Sequence, residues 1–132
     1  MLRSFLMDKG KILIVEDDEF LREVYVETLK DEGYTVDIAV DGSEGLEKIK
    51  QGGYDLVLLD IIMPKMDGLE VMRRIKAEGN ANPNKCIIFL TNLDKDEEIK
   101  EALKLGDGYL IKSQLTPGDL LREVKVYLSK NL

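Results

Sequence analysis

Short apolar runs without polar alternation, separated by stretches of helical period, leave few architectures open to this sequence. Ile12-Leu13-Ile14-Val15 and Leu56-Val57-Leu58-Leu59 are apolar at every position. Neither suits a strand with one wet face, and both suit strands of a parallel sheet covered by helices on two sides. The pattern predicts five strands, Lys11 to Val15, Tyr34 to Val40, Tyr54 to Leu59, Cys86 to Leu90 and Tyr109 to Ile111.

Between the strands, Leu21, Val24, Tyr25, Thr28 and Leu29 fall on one helical stripe, and Leu120, Leu121, Val124, Tyr127 and Leu128 form another near the end of the chain. Glycines mark the stops: Gly33 for the first helix, Gly52-Gly53 for the second and Gly79 for the third. Asp18 caps the first helix, Asp67 with Glu70 the third and Asp94 with Glu97 the fourth. Thr116-Pro117-Gly118-Asp119 opens the fifth with a capping hydroxyl, a proline at the first helical position and an acid at the third. In the charge-rich fourth helix, from Lys95 to Lys104, Ile99, Ala102 and Leu103 are the expected inward positions. Strict alternation of strand and helix implies an α/β fold with right-handed crossovers. The order 2-1-3-4-5 is adopted from known doubly wound sheets rather than derived from the residues.

A length of 132 residues suits one domain. The expected division is an N-terminal extension over residues 1–10 and a domain over 11–132. The leader contains Leu2, Phe5, Leu6 and Met7 but lacks the length and cleavage pattern of a secretory signal. No apolar stretch approaches the ~20 residues that cross a bilayer. The single Cys86 opens an apolar run and reads as a small buried hydrophobe in a reducing, cytoplasmic setting. A net charge of −7 disfavours broad contact with nucleic acid or anionic membrane. Histidine is absent, which removes the usual general base and any histidine phosphodonor within the chain. With one domain expected, any output passes through a partner.

In doubly wound sheets, ligands collect beyond the carboxyl ends of the strands. There stand Glu16, Asp17 and Asp18 after the first strand, Asp60 after the third, Thr91 after the fourth and Lys112 after the fifth. Converging carboxylates repel one another unless a cation joins them, and hard oxygen donors select Mg²⁺. Asp18, beside the helical stripe, is read as a cap. Asp17 and Asp60 terminate buried strands, where an unpaired carboxylate is costly, and are read as metal ligands. A carboxylate beside Mg²⁺ can also attack phosphorus and form an acyl phosphate. Thr91 is placed to donate a hydrogen bond to a phosphoryl oxygen, and Lys112 to pair with another.

The Glu16-Asp17 pair, Asp60 followed by Met63, Pro64 and Asp67-Gly68, then Thr91 and Lys112, each at a strand end and in this order, resemble the bacterial response-regulator receiver family. The resemblance runs from about Lys11 to Leu128. It implies a flavodoxin-like, five-stranded parallel sheet with five helices, similar to stand-alone chemotaxis receivers, and a signalling domain rather than a classical enzyme. It further implies that Asp60 accepts a phosphoryl group, that Asp17 and Asp60 bind Mg²⁺ through side chains, that Glu16 acts through water, and that the carbonyl of Ile62 completes the protein ligands. Thr91 and Tyr109 would form the switch pair. The phosphodonor would be a histidine kinase, a histidine phosphotransfer protein or a small acyl phosphate. A downstream protein would read the face of the fourth helix, fifth strand and fifth helix, without direct contact to nucleic acid or membrane.

The sequence departs from the family pattern in three respects. Ser113 follows Lys112 where proline with a cis bond is usual, Asn92 replaces a small residue after Thr91, and Ile62 and Leu93 are apolar where the family positions a hydrolytic water. The last feature points to a long-lived phosphoryl state. Among rivals, an aspartate-nucleophile phosphatase needs a second acid two residues after the nucleophile, where Ile62 stands. A flavin or nucleotide module needs a phosphate-cradling loop where Glu16-Asp17-Asp18 would repel phosphate. A degenerate receiver acting as a binding scaffold is the third alternative.

Overall fold

The apolar runs pair side by side and all in parallel. In this computed structural model, which describes residues 9–80, 83–92 and 96–130, the elements follow in strict alternation. They are β1 (Lys11–Val15), α1 (Glu19–Glu32), β2 (Thr35–Ala39), α2 (Gly42–Gln51), β3 (Leu56–Asp60), α3 (Gly68–Glu78), β4 (Ile87–Thr91), α4 (Asp96–Leu105), β5 (Gly108–Ile111) and α5 (Pro117–Ser129). A 3-10 turn, Lys112–Gln114, links β5 to α5. The sheet order is β2-β1-β3-β4-β5, the expected doubly wound arrangement. The expected leader up to residue 8, together with Leu93, Asp94 and Lys95, lies outside the described residues.

Alternate residues of each central strand serve two cores. Leu13, Val15, Val57, Leu59 and Phe89 pack against Ile49, Met72, Ile75 and Ala102 of α2, α3 and α4. Ile12, Ile14, Leu56, Leu58, Ile88 and Leu90 pack against Tyr25, Leu29, Leu120 and Val124 of α1 and α5. Both faces are covered, which is why the runs carry no polar alternation.

The caps fall where chemistry places them. Asp18, Asp67 and Thr116 accept from Leu21, Glu70 and Asp119 backbone N–H groups, and Asp119 reaches back to the Thr116 N–H to complete a capping box. Gly33 ends α1 in the left-handed conformation at φ 108.

The strand bounds and the phase of one helix need correction. β3 and β4 extend to include Asp60 and Thr91, because Ile61 N–H still donates to Leu90 O at 3.0 Å and the ladder continues through these polar residues. Tyr34 and Val40 fall outside β2, Tyr54 and Asp55 outside β3 and Cys86 outside β4, while Gly108 joins β5. Leu103 is 56% exposed, not inward: burying Ala102 turns the next residue about 100° away on a 3.6-residue helix, and Leu105 takes the place against the core. All peptide bonds of the described residues are trans, that between Lys112 and Ser113 included.

β2 is an edge strand. Thr35 N–H donates to Gly10 O at 2.9 Å and Ala39 O accepts from Glu16 N–H at 3.1 Å, so the backbone of Ile38, between them in alternation, faces away from the sheet. Its N–H donates to Asp37 Oδ1 at 2.9 Å, and its carbonyl accepts from Lys48 Nζ at 2.5 Å. Asp37 is held in turn by Tyr54 Oη at 2.7 Å and Lys48 Nζ at 3.0 Å. Burial alone would raise the Asp37 pKa, but these donors outweigh it and hold the carboxyl below its ordinary range.

The loop from β3 to α3 is packed tightly. A Cβ on Gly42 would sit 1.8 Å from the carbonyl oxygen of Met66, a contact relieved only by moving backbone. Gly42→Ala is expected to destabilise the domain by about 3 kcal/mol, the top of the usual overpacking range. Urea unfolding of the variant beside Gly53→Ala, whose added methyl meets open space, separates crowding from the backbone strain at Gly53.

Candidate functional site

Because all strands run in parallel, their carboxyl ends share one rim, where β1 and β3 deliver acids and β4 and β5 deliver a hydroxyl and an amine. Glu16 follows β1 and is fully buried; Asp60 and Thr91, the last residues of β3 and β4, are 4% and 1% exposed. Asp17 stands exposed beside them. Lys112, at the end of β5, extends its ammonium into the acids: Nζ lies 2.7 Å from Glu16 Oε1 and 3.2 Å from Asp60 Oδ2. A cavity of about 270 Å³ opens on this group, lined by Glu16, Asp17, Asp18, Leu21, Asp60, Ile62, Thr91, Asn92 and Lys112.

The sequence-derived candidates Glu16, Asp17, Asp60, Thr91, Lys112 and Ile62 are thus brought together. Tyr109 is not among the lining residues. Half-buried on β5, it pairs in register with Phe89 and packs against the core beneath α4.

Local backbone geometry fixes the rim. Gly68 N–H donates to Ile61 O at 2.7 Å, and a Cβ on Gly68 would lie 2.3 Å from Asp60 O; only glycine lets the loop return so close to the strand end. Lys65, at the loop's apex, adopts the left-handed conformation at φ 69 and pairs with Asp41 at 3.2 Å. On the other side, Asp18 N–H donates to Glu16 Oε2 at 3.1 Å, and Arg22 Nη1 donates to the Glu16 carbonyl at 2.9 Å. Arg22 carries no motif signal and was not expected at the site. Tyr25 is buried behind the rim; burial raises its hydroxyl pKa, while the charge of Lys112 opposes the rise.

Electrostatically the rim is under tension. Burial pushes the Asp60 carboxyl up to about 7, and the neighbouring Glu16 adds to the effect while Lys112 opposes it. Burial opposes the charge on Lys112, yet the Glu16 and Asp60 carboxylates outweigh it and hold the ammonium above its ordinary range.

A divalent cation fits this chemistry. One oxygen from each of Glu16, Asp17 and Asp60 lies within 4.8 Å of the others, an all-oxygen donor set of the hard kind. Glu16 Oε1 is fully buried and, although beside the Lys112 ammonium, makes no hydrogen bond of good geometry. Such an atom retains capacity for a further positive partner.

Two stability consequences follow in the metal-free protein. The folded-state pKa of Asp60 lies above the ordinary 3.8, so the native state binds its proton more tightly than the unfolded chain. Its ionisation therefore removes stability as pH rises from 3.8 to about 7. Asp60→Asn should raise stability at pH 8 in EDTA by about 2 kcal/mol, with the gain vanishing near pH 4. Lys112→Ala should act oppositely, losing about 3–5 kcal/mol by leaving Glu16 buried without its counter-charge. Thermal melts across pH read both.

Comparison with known proteins agrees with this geometry. Residues 12–125 match the response regulator receiver domain family. The uncharacterized transcriptional regulatory protein YkoG of Bacillus subtilis (strain 168) is 38% identical over 125 residues, 95% of this chain and 54% of that protein. The transcriptional regulatory protein DltR of Streptococcus agalactiae serotype III (strain NEM316) is 40% identical over 116 residues, 88% of this chain and 50% of that protein. The chain therefore spans about half the length of these curated relatives. Among solved structures, the receiver domain of Francisella response regulator 1452 superposes with a TM-score of 0.81 at 27% identity, covering 94% of this chain and 100% of that one. The response regulator protein TrrA of Thermotoga maritima, solved in complex with Mg(2+)-BeF, gives 0.73 at 37% identity, covering 89% and 97%.

Proposed function

The chain belongs to the response regulator receiver domain family of two-component signalling, and from that premise we propose that Asp60 is its phosphoacceptor, with Glu16, Asp17 and the Ile62 carbonyl holding Mg²⁺. Receiver domains bind Mg²⁺ at an acidic cluster, and the TrrA neighbour carries Mg(2+)-BeF. The observation that carries the reading is the convergence of one oxygen each from Glu16, Asp17 and Asp60 within 4.8 Å, with the Lys112 ammonium against two of the three residues.

In the transfer, a carboxylate oxygen of Asp60 forms a bond to phosphorus as the bond to the donor breaks. The electron pair departs with the leaving group. Lys112 pairs with one phosphoryl oxygen, and the Thr91 hydroxyl donates to another. Bound Mg²⁺ supplies neutralisation of the charge on the phosphoryl oxygens. The donor is a histidine kinase, a histidine phosphotransfer protein or a small acyl phosphate.

The new charged group at the rim draws Thr91 toward it and biases the packing of Tyr109. The change is read on the face of α4, β5 and α5 by a downstream protein, with no direct nucleic-acid contact. No helix of the described residues is long and apolar enough to cross a membrane, and we place the domain, residues 11–132, in the cytoplasm. A phosphatase is disfavoured by Ile62 in place of a second acid, and a degenerate scaffold by the full acidic set with its lysine.

Incubation with MgCl₂ and acetyl phosphate is expected to give one phosphate adduct by mass spectrometry in the wild type and none in Asp60→Asn. An adduct that persists in the variant removes Asp60 from this role. Ile62 is 62% exposed at the cavity mouth and presents no group to orient an attacking water. Ile62→Asn should therefore shorten the phosphoryl lifetime roughly tenfold or more, within the usual contribution of a positioned polar group, when the decay of adduct is followed over time.

A further inference from the structure

The turn between β1 and α1 carries two of the three acids, and one side chain outside the cavity pins its backbone. Arg22 Nη1 donates to Glu16 O at 2.9 Å and to Asp17 O at 3.4 Å. The backbone N–H of the same residue donates to Asp18 O at 2.9 Å. Three successive carbonyls thus answer to one residue. Glu16 is tied on its other side by its own N–H to Ala39 O at 3.1 Å, and its carboxylate accepts from Asp18 N–H at 3.1 Å. Arg22 itself is half-buried and faces the groove between α1 and β2, away from the acidic cavity.

We propose that Arg22 is a positioning residue for the divalent cation: its guanidinium, by clamping the carbonyls of Glu16 and Asp17, sets the spacing of the two carboxylates that follow from that backbone. The inference rests on the Mg²⁺ reading above. Mg²⁺ demands near-ideal octahedral geometry, whereas Ca²⁺ tolerates loose sites, so a backbone clamp matters most for the smaller ion. Both carbonyls accept from the one Nη1, whose N–H directions are fixed by the planar guanidinium. The charge of Arg22 works against the role, since a guanidinium near the site repels a cation. That opposition makes the sign of the effect decisive.

The test is titration of the EDTA-stripped full chain with MgCl₂ and with CaCl₂ by calorimetry, for wild type, Arg22→Met and Arg22→Lys. Arg22→Met removes donors and charge while keeping an unbranched side chain. It is expected to weaken Mg²⁺ binding about tenfold, the low end for groups that orient metal ligands, and to narrow the preference for Mg²⁺ over Ca²⁺. Arg22→Lys, with one compact, freely rotating ammonium in place of the planar guanidinium, should fall between wild type and Arg22→Met. Unchanged or tighter Mg²⁺ binding in Arg22→Met would mean that only charge matters and would overturn the proposal while leaving the metal reading intact. Should Arg22→Met fail to fold, wild-type affinity in Arg22→Lys overturns it equally. Absence of saturable Mg²⁺ binding in the wild type would sink both.

Discussion

A lysine ammonium held among buried carboxylates is the interaction on which this domain turns. Lys112 arrives from the last strand and meets Glu16 and Asp60 from the first and third, so it joins β5 to the centre of the sheet through charge. Both acids are buried at the floor of the cavity, and each would be costly to ionise alone. The lysine offsets part of that cost and leaves a surplus of negative charge, with Asp17 adding more at the open side. The rim is therefore stable enough to fold and short of positive charge. The proposed uptake of a cation and then an anion at this rim needs that imbalance.

The topology makes the imbalance possible. In an antiparallel sheet, alternate strands would carry their ends to opposite edges, and Asp60 and Glu16 would be separated by the length of a strand. Five parallel strands bring all their carboxyl ends to one side, with the helices as the return paths. Close backbone approaches then fix the positions: Gly68 against the Asp60 carbonyl, and Gly42 against that of Met66. Neither glycine touches the cavity, yet both set where its walls stand.

Much of this was legible in the sequence, because the governing forces are local. Apolar runs report burial on two faces whatever the tertiary detail, and caps such as Asp18 and Thr116 act within one turn. The strand ends were less legible. Asp60 and Thr91 are polar, so periodicity stops short of them, although the hydrogen-bond ladder does not. Leu103 misled because a helix's phase is set by which neighbour it meets, here Ala102 against the sheet. Arg22 left no trace at all: a side chain that recognises backbone carbonyls needs no complementary residue type, so no pattern of letters announces it. The same holds for Lys65, whose left-handed conformation is imposed by the loop it closes.

The treatment of β2 reaches beyond its own strand. Asp37 and Lys48 occupy the outward N–H and carbonyl of Ile38, and these are among the groups through which a foreign strand would dock on this side of the sheet. With the Ile38 pair engaged by the domain's own side chains, β2 is a poorer template for sheet growth. Edge-to-edge addition is disfavoured at that residue, which favours complexes on this flank built from side chains on helices and loops. A signalling part whose surface is meant to be read by others thus keeps its backbone to itself.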